Sequence, residues 1–139
     1  MQLIIPIGTK IEEVLIDNKK QDLVPAVTDY LSYERKNFIS PKGLEVERKD
    51  EFGKSIFGFL VQIDPGTAKT IKISYSLPYA ISSSEKTSYS LKVYKQPGID
   101  SYPFELIFSV PKEFQVIPKN SASLKIAKDE EINFTIFQK

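Results

Sequence analysis

The chain has no cysteine and no histidine. Disulfides, thiol nucleophiles, histidine-dependent triads and the usual zinc and haem ligands are therefore all excluded. Any catalysis would rest on carboxylates, lysine, tyrosine or serine alone. The missing cysteines do not fix a compartment, because cytosolic proteins and many exported bacterial proteins both avoid disulfides. Tryptophan is also absent, which removes the side chain best suited to stacking on a sugar ring. Neither sign of charge dominates: 19 Lys and Arg stand against 18 Asp and Glu, a formal net charge of +1. Without a positive field there is no basis for counterion-driven binding to nucleic acid. No apolar run is long enough to span a bilayer, and no stretch has the order of a signal peptide. Direct membrane insertion is not expected.

What is present suits strands. The 139 residues are 41% hydrophobic, enough to bury a core and to set disorder aside. Ile, Val, Leu, Phe and Tyr supply most of that fraction, and they fit a pleated surface. Nine prolines and six glycines punctuate the chain at short intervals, favouring turns between strands over long helices.

The second half is the more regular. Ile71, Ile73, Tyr75 and Leu77 alternate with polar residues, a period of two. Tyr89, Leu91 and Val93 repeat the pattern, and so do Phe104, Leu106, Phe108 and Val110. Leu124 with Ile126 marks a short strand. Ile132, Phe134 and Ile136 mark the last one, and the two together read as a terminal hairpin around Asp129-Glu130-Glu131. Asp64-Pro65-Gly66 and Gln96-Pro97-Gly98 are turns, since proline presets φ and glycine accepts φ > 0.

In the first half, Ile11 to Ile16 is a strand followed by a turn at Asp17-Asn18-Lys19-Lys20. Leu44 and Val46 alternate with Glu45 and Glu47, and Asp50-Glu51-Phe52-Gly53 is a hairpin turn. The nearly continuous apolar run from Ile56 to Ile63 predicts a central strand covered on both faces. Gln21 to Phe38 has no clean period and reads as a long loop with at most one helical turn. The opening Gln2-Leu3-Ile4-Ile5-Pro6 reads as a strand already under way, the mark of a piece cut from a longer protein. About nine strands without a low-complexity linker give one domain over residues 1–139. Its expected architecture is an antiparallel β-sandwich, immunoglobulin-like.

Two stretches carry a resemblance. One runs from Ile63-Asp64-Pro65-Gly66 through Thr70 to Tyr75-Ser76-Leu77-Pro78. The other is Tyr89-Ser90-Leu91, continuing to Lys95-Gln96-Pro97-Gly98. In order and spacing they resemble the C-terminal β module of large bacterial membrane-anchored proteins that carry domain of unknown function 4012. Ile4-Ile5-Pro6-Ile7-Gly8-Thr9 is similar to the strand end that opens that module. The resemblance implies an extracytoplasmic module of the cell envelope or cell surface, beside a membrane-anchored region. It assigns no catalytic residue. The motifs also have sufficient structural reasons, since each is a strand plus a turn.

Candidate chemistry is sparse. Glu45 and Glu47 share a strand face about 7 Å apart, within the range of paired glycosidase carboxyls, but Arg48 and Lys49 follow at once, as on a solvated face. The acidic stretches Asp129-Glu130-Glu131 and Asp17-Asn18 lack the spaced ligand series of a calcium loop. No glycine-rich phosphate loop exists, and no metal or cofactor is expected. The aromatic residues Tyr30, Tyr33 and Phe38 in the irregular segment, with Tyr79, Tyr94 and Tyr102 at strand ends or on polar faces, form the candidate binding surface. The expected function is a non-catalytic structural or protein-interaction module that docks neighbouring domains of its parent. The rival is a carbohydrate or cell-wall glycan binding module using those tyrosines.

Overall fold

The computed structural model describes residues 1–27, 39, 42–78 and 86–139. Among these there are twelve strands and no helix. The chain divides into two compact units, Met1–Tyr79 and Ala80–Lys139.

The first unit holds β1 (Gln2–Pro6), β2 (Lys10–Ile16), β3 (Lys19–Lys20), β4 (Leu23–Pro25), β5 (Leu44–Glu51), β6 (Lys54–Phe59) and β7 (Ile71–Ser76). They form a four-stranded sheet in the order β1-β6-β5-β4 and a three-stranded sheet in the order β3-β2-β7. All pairs are antiparallel except β4 with β5. The period of two decides which side chains are buried. Ile5 on β1, Leu44 on β5, and Phe57 and Phe59 on β6 share one cluster with Val14 of β2, so both sheets feed the same core. Each such aliphatic or aromatic side chain contributes about 1.5–3 kcal/mol by leaving water.

Turn chemistry fixes the registers. The β2–β3 hairpin closes at Ile16↔Lys19 with Asp17 and Asn18 both at positive φ, 50° and 64°. The β5–β6 hairpin closes at Glu51↔Lys54 with Phe52 and Gly53 at 49° and 71°. Both are two-residue type I′ turns, whose twist matches that of the strands. Gly43 opens β5 at φ 131°, and a Cβ there would lie 2.4 Å from the Asp22 carbonyl oxygen. That carbonyl accepts the Leu44 N–H at 2.8 Å.

The second unit holds β8 (Thr87–Val93), β9 (Tyr102–Ile107), β10 (Phe114–Ile117), β11 (Ser121–Ile126) and β12 (Glu130–Gln138). They form a three-stranded sheet in the order β10-β12-β8 and a two-stranded sheet of β11 with β9, all antiparallel. Ile126, Phe134 and Ile136 are buried. The rings of Tyr89, Phe108 and Phe134 gather with centroids 5.1 to 6.4 Å apart.

Several sequence expectations need correction. The last two strands are not a hairpin: β11 pairs with β9, and β12 lies between β8 and β10. A short connection made the hairpin the economical guess, but the inward residues of β11 match those of β9, Leu124 opposite Phe104 and Ile126 opposite Tyr102. The run from Ile56 to Ile63 is strand only as far as Phe59. Leu60 beyond it is 88% exposed, and Ile56 and Gly58 are half-buried, so β6 is central in its sheet yet covered on one face. Leu23–Pro25, read as loop, is a short strand parallel to β5. Most of the remaining irregular segment lies outside the described residues.

Candidate functional site

Four of the six expected binding residues, Tyr30, Tyr33, Phe38 and Tyr79, lie outside the described residues. The other two, Tyr94 and Tyr102, are brought together at one end of the second unit.

The local sequence explains their placement. β8 runs out at Val93, so Tyr94 falls just past the last paired residue. The chain then turns through Pro97 and Gly98, the latter at φ 83°, and returns as β9 at Tyr102. The Tyr102 hydroxyl donates to the Tyr94 carbonyl at 2.9 Å, closing this loop at its neck. On the other side, the Lys95 N–H donates to Asp129 Oδ1 at 2.8 Å, which ties the segment to the residue just before β12. The Tyr94 backbone is thus flanked by two anchors, while its side chain is not covered: the residue is 65% exposed.

Beside Tyr94 lies an open depression of about 240 Å³, lined also by Lys92, Val93, Asp129, Glu130 and Glu131. Its charges are partly neutralised in place. Lys92 Nζ is 3.6 Å from Glu131 Oε2, and the Ser90 hydroxyl donates to Glu131 Oε1 at 2.9 Å. Burial raises the Tyr102 phenol above its ordinary pKa, and the nearby Asp129 carboxylate adds to the shift. At neutral pH that phenol stays protonated and remains a hydrogen-bond donor.

The arrangement supplies one aromatic face, carboxylate acceptors and a paired ammonium on a fixed backbone. Such a set can bind. A phenol held protonated is a poor base and a poor nucleophile. Glu45 and Glu47 lie elsewhere, side by side on β5. Glu45 Oε2 accepts the Val27 N–H at 3.2 Å. Glu47 borders a second depression of about 280 Å³ over Gly58, with Gln2, Lys49, Glu51 and Ile56. Among the described residues no three acidic side chains gather as a metal ligand set.

The sequence reading missed the most exposed large apolar side chain among the described residues. Phe52 is 99% exposed at the tip of the β5–β6 hairpin. The turn was expected over Asp50-Glu51-Phe52-Gly53, of which only Phe52-Gly53 turn, and the signal lay in asking why phenylalanine, rather than asparagine or aspartate, precedes the glycine.

The fold is of the all-β class, built from separate, mainly antiparallel sheets. Among the described residues no helix is long and apolar enough to cross a membrane. No family model, no curated protein and no solved structure matches the chain.

Proposed function

We propose that the chain is a non-catalytic interaction module, one that docks a neighbouring domain or a protein partner through surface aromatic residues. The observation that carries this reading is the mounting of Tyr94: its backbone is flanked by hydrogen-bonded anchors while its ring is left to solvent. Ordered backbone beneath an uncovered aromatic residue is the anatomy of a binding anchor, because little freedom remains to be lost on association. The placement of Glu45 and Glu47 agrees with this reading: they stand on one strand rather than across a cleft, where paired catalytic carboxyls must face each other over a substrate.

In this reading the first unit is a two-layer β-sandwich, part of the immunoglobulin-like architecture expected from the sequence. The shared cluster of Val14 with Ile5, Phe57 and Phe59 supports that arrangement in the first unit. The resemblance of the Asp64-Pro65-Gly66 and Gln96-Pro97-Gly98 segments to a bacterial envelope module supports an extracytoplasmic place beside the membrane-anchored region of its parent.

A second reading, binding of cell-wall glycan, is favoured by the same exposed ring lying next to the acceptors of Asp129 and Glu131. A glycan array and a pull-down on purified peptidoglycan separate the two. The interaction-module reading expects no retention above background and no hydrolysis products. Retention that disappears in Tyr94→Ala, with the fold intact by circular dichroism, would replace it with the glycan reading.

A further inference from the structure

One asparagine of the chain is followed at the second position by a hydroxyl residue, in Asn133-Phe134-Thr135. With no proline between them, that tripeptide is the acceptor pattern for an N-linked glycan. Glu131 stands two residues before the asparagine. It completes the longer acidic form of the pattern that bacterial oligosaccharide transferases read, a carboxylate giving a cationic site on the enzyme a charge to hold. Asn18, Asn37 and Asn120 lack the pattern, since Lys20, Ile39 and Ala122 stand at the second position after them.

The strand sets these three side chains in one row. Glu131, Asn133 and Thr135 alternate on β12 with Ile132, Phe134 and Ile136, and the last two are buried. Asn133 is thus on the wet face, and it is exposed. Its neighbours leave space. Ser90, directly opposite on β8, is small, and so is Ser88 opposite Thr135. On the other side β10 pairs only as far as Ile117↔Thr135, two residues short of Asn133.

The fold does not use the amide. The Ser90 hydroxyl donates to Glu131 instead, at 2.9 Å. Among the described residues neither the Asn133 amide nor the Thr135 hydroxyl makes a side-chain hydrogen bond. A wet strand face accounts for a polar residue at this position. It does not account for asparagine, which strands disfavour.

We infer that Asn133 is a modification site, the acceptor of an N-linked glycan. The donor is an oligosaccharide carried on a polyprenyl diphosphate. In the transfer the sugar's anomeric C–O bond to the diphosphate breaks and a C–N bond to Asn133 Nδ2 forms. The lipid diphosphate leaves with the electron pair, and the amide gives up one proton. Phe134 packs with Tyr89 and Phe108, ring centroids 6.4 and 5.5 Å away, so a transferase cannot close around residues 133–135 once the sheet has formed. Transfer therefore precedes folding of the second unit. The finished fold keeps room for the glycan, because alternation sends Phe134 inward and Asn133 outward. This rests on the extracytoplasmic place proposed above, the side of the membrane on which such donors are used.

The test uses the full chain as the producing cells make it. Protease added to spheroplasts first reports which side of the membrane the chain occupies. Trypsin then releases Asp129–Lys139 from the purified protein, a peptide whose only asparagine is Asn133 and whose only hydroxyl residue is Thr135. Mass spectrometry should find sugar mass on it, localised to Asn133 by electron-transfer fragmentation. The added mass should be lost in Asn133→Gln and Thr135→Ala and kept in Thr135→Ser, each folded by circular dichroism. Where Thr135→Ala does not fold, the other two variants carry the test. A bare peptide from a chain that protease reaches outside would overturn the inference and leave the extracytoplasmic reading standing. Sugar that persists in Asn133→Gln would lie on Thr135 and overturn it equally. A chain protected on the cytoplasmic side would overturn that reading and the inference together.

Discussion

Gly43 shows how much one missing Cβ can decide. Its φ of 131° is strained for any other residue, and an added methyl would lie 2.4 Å from the Asp22 carbonyl oxygen. Gly43→Ala should cost on the order of 2–3 kcal/mol in urea unfolding. Gly66 is the control: its φ is 74° but nothing lies within 4 Å of the missing Cβ. Gly66→Ala should therefore cost less, about 1–2 kcal/mol, the conformational part alone. Asp50 makes a pH prediction. Hydrogen bonds from Ser55 and Arg48 lower its pKa below the ordinary value. A carboxyl depressed in the folded state stabilises above its unfolded pKa and stops doing so as pH falls through the folded one. Asp50→Asn should thus be less stable than wild type near neutrality, and the gap should begin to narrow only below about pH 4, as pH falls towards the lowered folded-state pKa. Unfolding midpoints measured from pH 7 to pH 3 check this. At this scale the sequence was only partly legible. Tyr94 and Tyr102 stood out as aromatic residues at strand ends or on polar faces, but their joint anchoring by Asp129 and a backbone carbonyl depends on two connections meeting in space. No local pattern records that meeting.

Strands were legible where one face is dry and the other wet. Ile71–Ser76, Thr87–Val93 and Glu130–Gln138 follow the alternation of their residues closely. The turns expected over Asp17–Lys20 and Asp50–Gly53 were legible in place but too wide: only Asp17-Asn18 and Phe52-Gly53 turn, while Lys19–Lys20 is β3 and Asp50 and Glu51 end β5. Pairing between distant strands was not, because inward residues at every second position fit several partners equally well. β11 and β12 are the instructive case, being neighbours in sequence but not in a sheet. Ile126, fully buried on β11, gives a test of that pairing. Ile126→Ala should destabilise by about 2–4 kcal/mol through lost burial and the cavity left behind. In hydrogen exchange the amides of Tyr102–Ile107 should lose protection, since β9 is the strand that β11 pairs with. Loss confined to Glu130–Gln138 would restore the terminal hairpin.

The whole chain is two compact all-β units, with buried apolar side chains in each and large apolar residues left on the surface. Composition made the class legible through its β-formers and frequent turns. It did not show which aromatic residues would be left outside, because strand alternation says which face a residue takes but not whether that face or tip is covered. The central claim is that Tyr94 is held outward for a partner and not for the fold. The most direct measurement is thermal and urea unfolding, followed by far-ultraviolet circular dichroism, of wild type and the variant Tyr94→Ser. The serine keeps the carbonyl that Tyr102 donates to. Midpoints equal to wild type or higher are expected, whereas a loss of more than about 1 kcal/mol would mean that the ring packs within the chain and would contradict the account.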